Sequence, residues 1–305
     1  MGYIVLVHKI KKIFSKPLYK MRIFIEIIYI SIILLISTGH FDMRILLNLQ
    51  PVNYNYSLPI NYYHPMSSAI YTLFRAASPE FSEWLHEHGF LTSEGRPMKL
   101  FNFSRLDFRN YRIDNNIIRA RGNLRMKFST PLGSKIGQKF IQGLFNSGVL
   151  RVHNRFAGED LTVSSVETLP EPLITTDEVF IMQSPTAVST VINKNGDRKI
   201  YYYRPDDDNA ERALERNLMN KYELLRKKPY SGKLAVRLDR DYIARAGRRA
   251  TKLIAIREGM RNEMQIKAFV CPLRIEGDPE IIKIAYDCGV GEKNSMGFGF
   301  IERNN

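Results

Sequence analysis

From position 43 onward, apolar residues follow two alternating periods. MRILLNLQ (43–50) predicts a strand, and a Pro- and Asn-rich stretch after it predicts a loop. Between 64 and 77, Met66, Ala69, Ile70, Leu73, Phe74 and Ala77 recur at three- and four-residue spacing, which predicts an amphipathic helix with one core face. Ser78-Pro79-Glu80 supplies an N-cap, a proline at the first helical position and an early acid. With Gly89 as a stop, it predicts a second short helix over 79–88. Residues 98–130 carry alternating aromatic and aliphatic positions, as in MKLFNFSRLDF and RGNLRMKFST, and predict antiparallel strands. A helix over roughly 134–146 follows, and strands in LRVHNRF and LTVSSVETL complete a β-α-β-β-α-β-like unit. LPEPLITTDE is a proline-punctuated linker, so the first domain ends near Leu169.

The second half repeats this grammar. Strands are predicted in EVFIMQS, AVSTVIN and KIYYYR, a helix across 206–228, then strands in KLAVRLD, RRATKLIAIRE and EMQIKAFVCPLRI. Asp278-Pro279-Glu280 opens the last helix, where Ile281, Ile284, Ala285 and Cys288 share one face and Gly289 is the stop. GFGFIE is read as the final strand. The simplest architecture is α+β, with two ferredoxin-like (RRM-like) βαββαβ domains in tandem over 43–169 and 170–305.

Composition narrows the partners. With 305 residues and 44% hydrophobic content the chain can bury a substantial core, and its length favours two domains. A net charge of +14 and a pI near 9.7 point to a polyanion or an anionic surface, nucleic acid first. Residues 1–42 hold a basic stretch and an apolar run at 23–36 interrupted by Glu26. That run has 14 residues where a bilayer span needs about 20, so no stable membrane partner is expected, and the leader reads as an upstream extension or a misassigned start. Without it 39 basic residues still face 29 acidic ones, and the polyanion argument survives. Cys271 and Cys288 have no CxxC spacing, which suits a reducing compartment, the cytoplasm. No Walker loop, His and Cys metal cluster or GxSxG motif is present, so NTPase, zinc-enzyme and serine-hydrolase readings lack support, and neither a metal nor a cofactor is expected.

Two segments stand out. In GVGEKNSMGFGF (289–300), Gly289, Gly291, Gly297 and Gly299 frame a polar tip. Glycine suits positive φ or close backbone approach, so one reading is a tight turn. The other is a set of exposed amides facing an anion, with Lys293 adding charge and Asn294 beside it. In RLDRDYIARAGRRATK, Arg245, Arg248, Arg249 and Lys252 form either a groove for a nucleic-acid backbone or an ordinary charged hairpin.

A helix, then this glycine segment, then the chain end, in the second of two ferredoxin-like domains, resembles the CRISPR-associated endoribonucleases of the Cas-six type, in the RAMP superfamily. SPTAV at 184–188 also looks familial, the likeness covers most of 43–305, and residues 1–42 have no counterpart in it. The resemblance implies cleavage of precursor CRISPR RNA within its repeats, without metal: a 2′-hydroxyl attacks the adjacent phosphate, leaving a 2′,3′-cyclic phosphate and a 5′-hydroxyl. It further implies a site of a Tyr in the first helix, a His about fifteen residues on and a Lys after it. Tyr71, His86 and Lys99 match, the first two 15 apart. His86 points away from the core face of its helix and sits in the last turn, where the dipole favours imidazolium and hence an acid; its plainer reading is a solvated helix-end histidine. His64 and His88 are fallbacks. Tyr71 as base needs nearby cations, Arg75 or Lys99, to lower its pKa; otherwise it only orients the 2′-hydroxyl. Lys99 would offset phosphorane charge. The expected partner is repeat RNA, with other subunits of a CRISPR effector complex as a further class, and the protein is expected as monomer or homodimer. The competing reading is a non-catalytic subunit that holds repeat or guide RNA.

Overall fold

The computed structural model describes residues 42–194 and 196–304, and the apolar run at 23–36 lies outside them. The first half runs β1 (Met43–Pro51), β2 (Asn55–Pro59), α1 (Tyr63–Ala77), α2 (Pro79–Glu87), three short strands β3 (Phe90–Leu91), β4 (Pro97–Met98) and β5 (Asn102–Phe103), then β6 (Asp107–Asp114), β7 (Ile117–Thr130), α3 (Gln138–Ser147), β8 (Val149–His153) and β9 (Gly158–Thr168). The second runs β10 (Asp177–Met182), β11 (Ser189–Lys194), β12 (Asp197–Tyr202), α4 (Ala210–Arg226), β13 (Ala235–Leu238), α5 (Arg240–Ala246), β14 (Thr251–Ile256), β15 (Met264–Phe269), β16 (Leu273–Glu276), α6 (Pro279–Cys288) and β17 (Ile301–Arg303). Among the described residues no helix is long and apolar enough to cross a membrane.

Alternation in β1 sends Ile45, Leu47 and Leu49 into the core, each at most 1% exposed, under the apolar face of α1. β1 pairs antiparallel with β7 and β9, and β6 covers the far side of β7, so β9-β1-β7-β6 has the strand order of a ferredoxin-like sheet. The order β17-β10-β16-β13 repeats it in the second half. The fold is thus two ferredoxin-like units in tandem. Two hairpins stand outside the second sheet, β11–β12 between β10 and α4 and β14–β15 between β13 and β16.

Three local expectations change. The Pro- and Asn-rich stretch contains β2, which continues β1 along the same edge of β7 and buries Tyr56 and Leu58. Only the partner strand discloses this, because the alternation is two residues long. The basic run holds α5, N-capped by Asp239, whose carboxylate accepts from the Tyr242 amide at 2.7 Å. GFGF is not strand; β17 begins at Ile301, because the glycines before it take positive φ.

The halves are joined through Arg44 of β1, 6% exposed. Its guanidinium donates to the carbonyls of Tyr286 and Ile301, each at 2.7 Å, pairs with Glu302, and lies over the Tyr286 and Phe300 rings. Lys127 adds a second ion pair to Glu302 at 2.7 Å.

Candidate active site

Ser78 closes α1 and opens α2: its amide donates to the Phe74 carbonyl and its hydroxyl accepts from the Phe81 amide at 3.2 Å. One shared residue leaves no slack, so α2 folds back against α1. The Ser82 hydroxyl donates to the Tyr71 carbonyl at 3.1 Å and fixes this corner. As a result the rings of Tyr71 and His86 meet edge-on, centroids 5.2 Å apart and planes at 86°. Tyr71 is half-buried, against Phe74 and Phe101, each at 5.9 Å. His86 is exposed.

The β3–β4 hairpin returns the chain to the end of α2. There the Lys99 amine donates to the His86 main-chain carbonyl at 2.7 Å, where a cation complements the carbonyl end of the helix. Burial lowers the Lys99 pKa below the usual lysine range. Tyr71, His86 and Lys99 are therefore together. His88 only ends α2, its amide donating to the Trp84 carbonyl at 2.9 Å, while His64 faces Arg257 with its pKa lowered by burial and then by that charge.

The second half adds a residue that the sequence reading missed. Ser295, at the tip of the glycine segment, accepts at its carbonyl from the Ser67 hydroxyl at 2.9 Å, which brings its side chain beside the Tyr71 phenol. Burial nonetheless raises the Tyr71 pKa well above the ordinary phenol value; the Ser295 side chain beside it acts in the other direction, and neither Arg75 nor Lys99 lowers it. The expected activating cation is absent from the electrostatics of Tyr71. Arg75 is exposed, and the Lys99 amine is tied to a carbonyl.

The reading of the glycines as exposed amides also changes. All four have positive φ, from 68° to 82°, and all are buried. The amides of Gly289, Gly297 and Gly299 donate to the carbonyls of Ala285, Asn294 and Pro185 at 2.8–2.9 Å, so they are spent inside the protein. A Cβ on Gly297 would meet the Phe103 ring at 2.5 Å, and one on Gly299 would overlap the Val290 carbonyl. The segment is close-packed against β5, with Asn102 donating to the Phe298 carbonyl at 3.1 Å. Asn294 is also buried, its amide donating to Val290 and Phe298 carbonyls and its oxygen accepting from Lys221 at 2.7 Å. Only Lys293, among the charged and amide side chains expected to bind here, keeps a partly exposed head.

Lys221 is the second missed residue. It lies 2% exposed on α4 and donates to the carbonyls of Gly289 and Gly291 at 2.7 and 3.0 Å, besides Asn294. Burial pulls its pKa down to about 8, against a weaker upward pull from the nearby Cys288 and Glu292. A lysine inside the apolar stripe of Leu214, Leu218 and Tyr222 was the available sequence signal, since lysine is almost never fully buried without partners.

Arg245, Arg248, Arg249 and Lys252 are exposed along α5, the turn after it and β14, and make no ion pair among the described residues. Among the described residues, no group of three or more His, Cys, Asp or Glu side chains is arranged to hold a metal ion.

Family models describe two adjoining stretches: CRISPR associated protein Cas6, C-terminal, matches residues 169–303, and CRISPR-associated protein Cas6, N-terminal, matches 57–167. A curated relative from Methanocaldococcus jannaschii, CRISPR-associated endoribonuclease Cas6 1, is 29% identical over 261 residues, spanning 85% of this chain and 92% of its own. CRISPR-associated endoribonuclease Cas6 of Pyrococcus furiosus is 24% identical over 264 residues, 85% of this chain and 89% of its own. A solved structure described as CRISPR associated protein Cas6 superposes with a TM-score of 0.67 at 26% identity, covering 87% of this chain and 100% of that one.

Proposed function

The chain belongs to the CRISPR-associated Cas6 family, and from that membership and the cluster on α1 and α2 we propose that it is an endoribonuclease processing CRISPR repeat RNA. The observation that carries the reading is the edge-on contact of Tyr71 and His86 with Lys99 tied to the His86 carbonyl. Three side-chain types suited to one RNA reaction meet there.

In the proposed reaction the substrate's own 2′-hydroxyl oxygen forms the bond to phosphorus and the P–O5′ bond breaks, leaving a 2′,3′-cyclic phosphate and a 5′-hydroxyl. His86 gives a proton to the departing 5′-oxygen; imidazole is the side-chain type that exchanges protons near neutrality, and this one is open to solvent. Burial keeps Tyr71 a neutral phenol, so its role is a hydrogen bond that orients the 2′-hydroxyl, whose proton leaves to solvent. Lys99 uses one N–H on the His86 carbonyl and has two left for the phosphorane oxygens. The exposed Arg245, Arg248, Arg249 and Lys252, with Lys293, are assigned to the RNA backbone.

The full chain and its His86→Ala form, incubated with repeat RNA in EDTA and followed by end-group mapping, test this. Expected is cleavage at one position, surviving EDTA, with cyclic phosphate ends and lost in the variant. Binding without cleavage by either protein would support the RNA-holding reading instead.

A further inference from the structure

The N-terminal part of β7 is flanked by β2 on one side and β6 on the other, and this three-stranded extension has two unlike faces. Cross-strand register sets Asn55, Arg121 and Asn110 in one row and Ser57, Arg119 and Arg112 in another, on the same face. The opposite face carries Tyr56, Leu58, Ile118 and Ala120, all buried, so the arginine face is turned outward. A groove of ≈ 810 Å³ opens over this extension, with Arg109 joining its lining opposite a bulge in β7.

The charge arrangement is costly without an occupant. Arg112 and Arg119 stand directly opposite each other, and like charges in that relation destabilise a strand pair. Asp114 reaches Arg119 at 3.2 Å from the strand end, and Asp107 is engaged by Arg125 at 2.6 Å. Arg109, Arg112 and Arg121 have no acidic partner among the described residues, and all three are exposed. No carboxylate lines the groove.

We infer that this groove binds the phosphate backbone of a single-stranded segment of RNA, outside the cluster at Tyr71. Arg119 and Arg121, two residues apart on one strand, are about 6.8 Å apart along it, close to the spacing of successive phosphates on an extended strand. Three strands' width takes a few nucleotides of such a strand and not the body of a duplex. Asn55, Asn110 and Ser57 add neutral donors for phosphate and sugar oxygens. β2 runs into α1 through only three residues, and Tyr71 lies eight residues beyond Tyr63, about 12 Å along the helix. One RNA can therefore span groove and cluster. The inference rests on the reading of the chain as an RNA-processing protein and adds where its substrate extends.

The test uses the full chain, the triple variant Arg109→Ala, Arg112→Ala, Arg121→Ala, and a fluorescent oligouridylate of about 12 nucleotides, a length within the range single-strand grooves accept. Binding is titrated across salt concentrations. Each single-strand phosphate contact contributes about 0.7 to the slope of log affinity against log salt, so the triple variant is expected to lose about 2 from it. Arg112→Ala alone loses about 0.7, and the triple Arg→Lys form retains the slope. Arg125→Ala, exposed and already paired with an acid, leaves it unchanged. An unchanged slope in the triple variant, failure of the unaltered chain to bind oligouridylate, or loss confined to duplex RNA would each overturn the inference. Cleavage of repeat RNA by the unaltered chain, scored in parallel, reports on the processing reading separately.

Discussion

The carbonyl of Ser295, on the loop after α6 in the second half, accepts from the Ser67 hydroxyl of α1 in the first at 2.9 Å, and its side chain lies beside the Tyr71 phenol one turn further along that helix. The candidate active site thus spans both halves, and the last glycine segment holds one wall of it. Ser295→Ala removes the hydroxyl beside the Tyr71 phenol, a polar interaction worth about 1 kcal/mol, and is expected to slow single-turnover cleavage roughly fivefold with RNA affinity unchanged. An unaltered rate would remove Ser295 from the site.

Removal of a proton donor is expected to be far more damaging. His86→Ala should lower the cleavage rate by about 10²- to 10⁴-fold. Repeat-RNA affinity, measured by filter binding, should stay within about twofold, because the phosphate contacts that supply affinity lie elsewhere.

Tyr71→Phe separates orientation from proton abstraction. Burial raises the phenol above its ordinary range, so its ionisation lies beyond the working pH, and the variant should lose roughly tenfold in rate while keeping the shape of the pH–rate profile. A profile that loses its rise with pH in the variant would instead make Tyr71 the base.

Lys221 predicts a pH effect on stability. Its folded pKa, about 8, lies below the ordinary lysine value of 10.5, so between those values the unfolded chain binds more protons than the folded one. Stability from this group therefore rises with pH through that window, by roughly 2 kcal/mol between pH 7.5 and 9.5. Lys221→Met should lack that rise and be less stable at pH 7 by about 1–3 kcal/mol, because the Gly289 and Gly291 carbonyls lose their donor. Urea unfolding of both proteins at the two pH values measures it, and parallel shifts would refute it.

Gly299→Ala forces a side chain into φ of +72° and against the Val290 carbonyl. The expected cost is roughly 2–4 kcal/mol, seen as a lower urea midpoint, with loss of cleavage as the loop leaves Tyr71. Full stability in the variant would show that the loop has room to rearrange.

Much of the fold was legible because local rules suffice for it. The 66-69-70-73-74 stripe, the Ser78-Pro79-Glu80 cap and the alternation in β1 each involve neighbours within a few positions, and each appears where the pattern puts it. The same short-range rules put Tyr71 beside the core stripe of its helix and His86 off that of α2. Four glycines in twelve residues marked the final segment as special, but not why. That depends on Phe103, Asn102 and Val290 coming within van der Waals reach, contacts between positions up to about 200 residues apart that no periodicity encodes.

What the sequence determined on its own is the set of elements, their caps and the excess of positive charge, all consequences of side-chain type and spacing along the chain. Tertiary structure alone decided that β2 extends β1, that three loop amides turn inward, that Ser295 reaches Tyr71 and that Lys221 closes the loop from beneath. It also reversed the electrostatics of Tyr71. Burial is a property of everything packed around a group, and here desolvation raises the phenol pKa while neither of the cations that sequence proximity had offered acts on it.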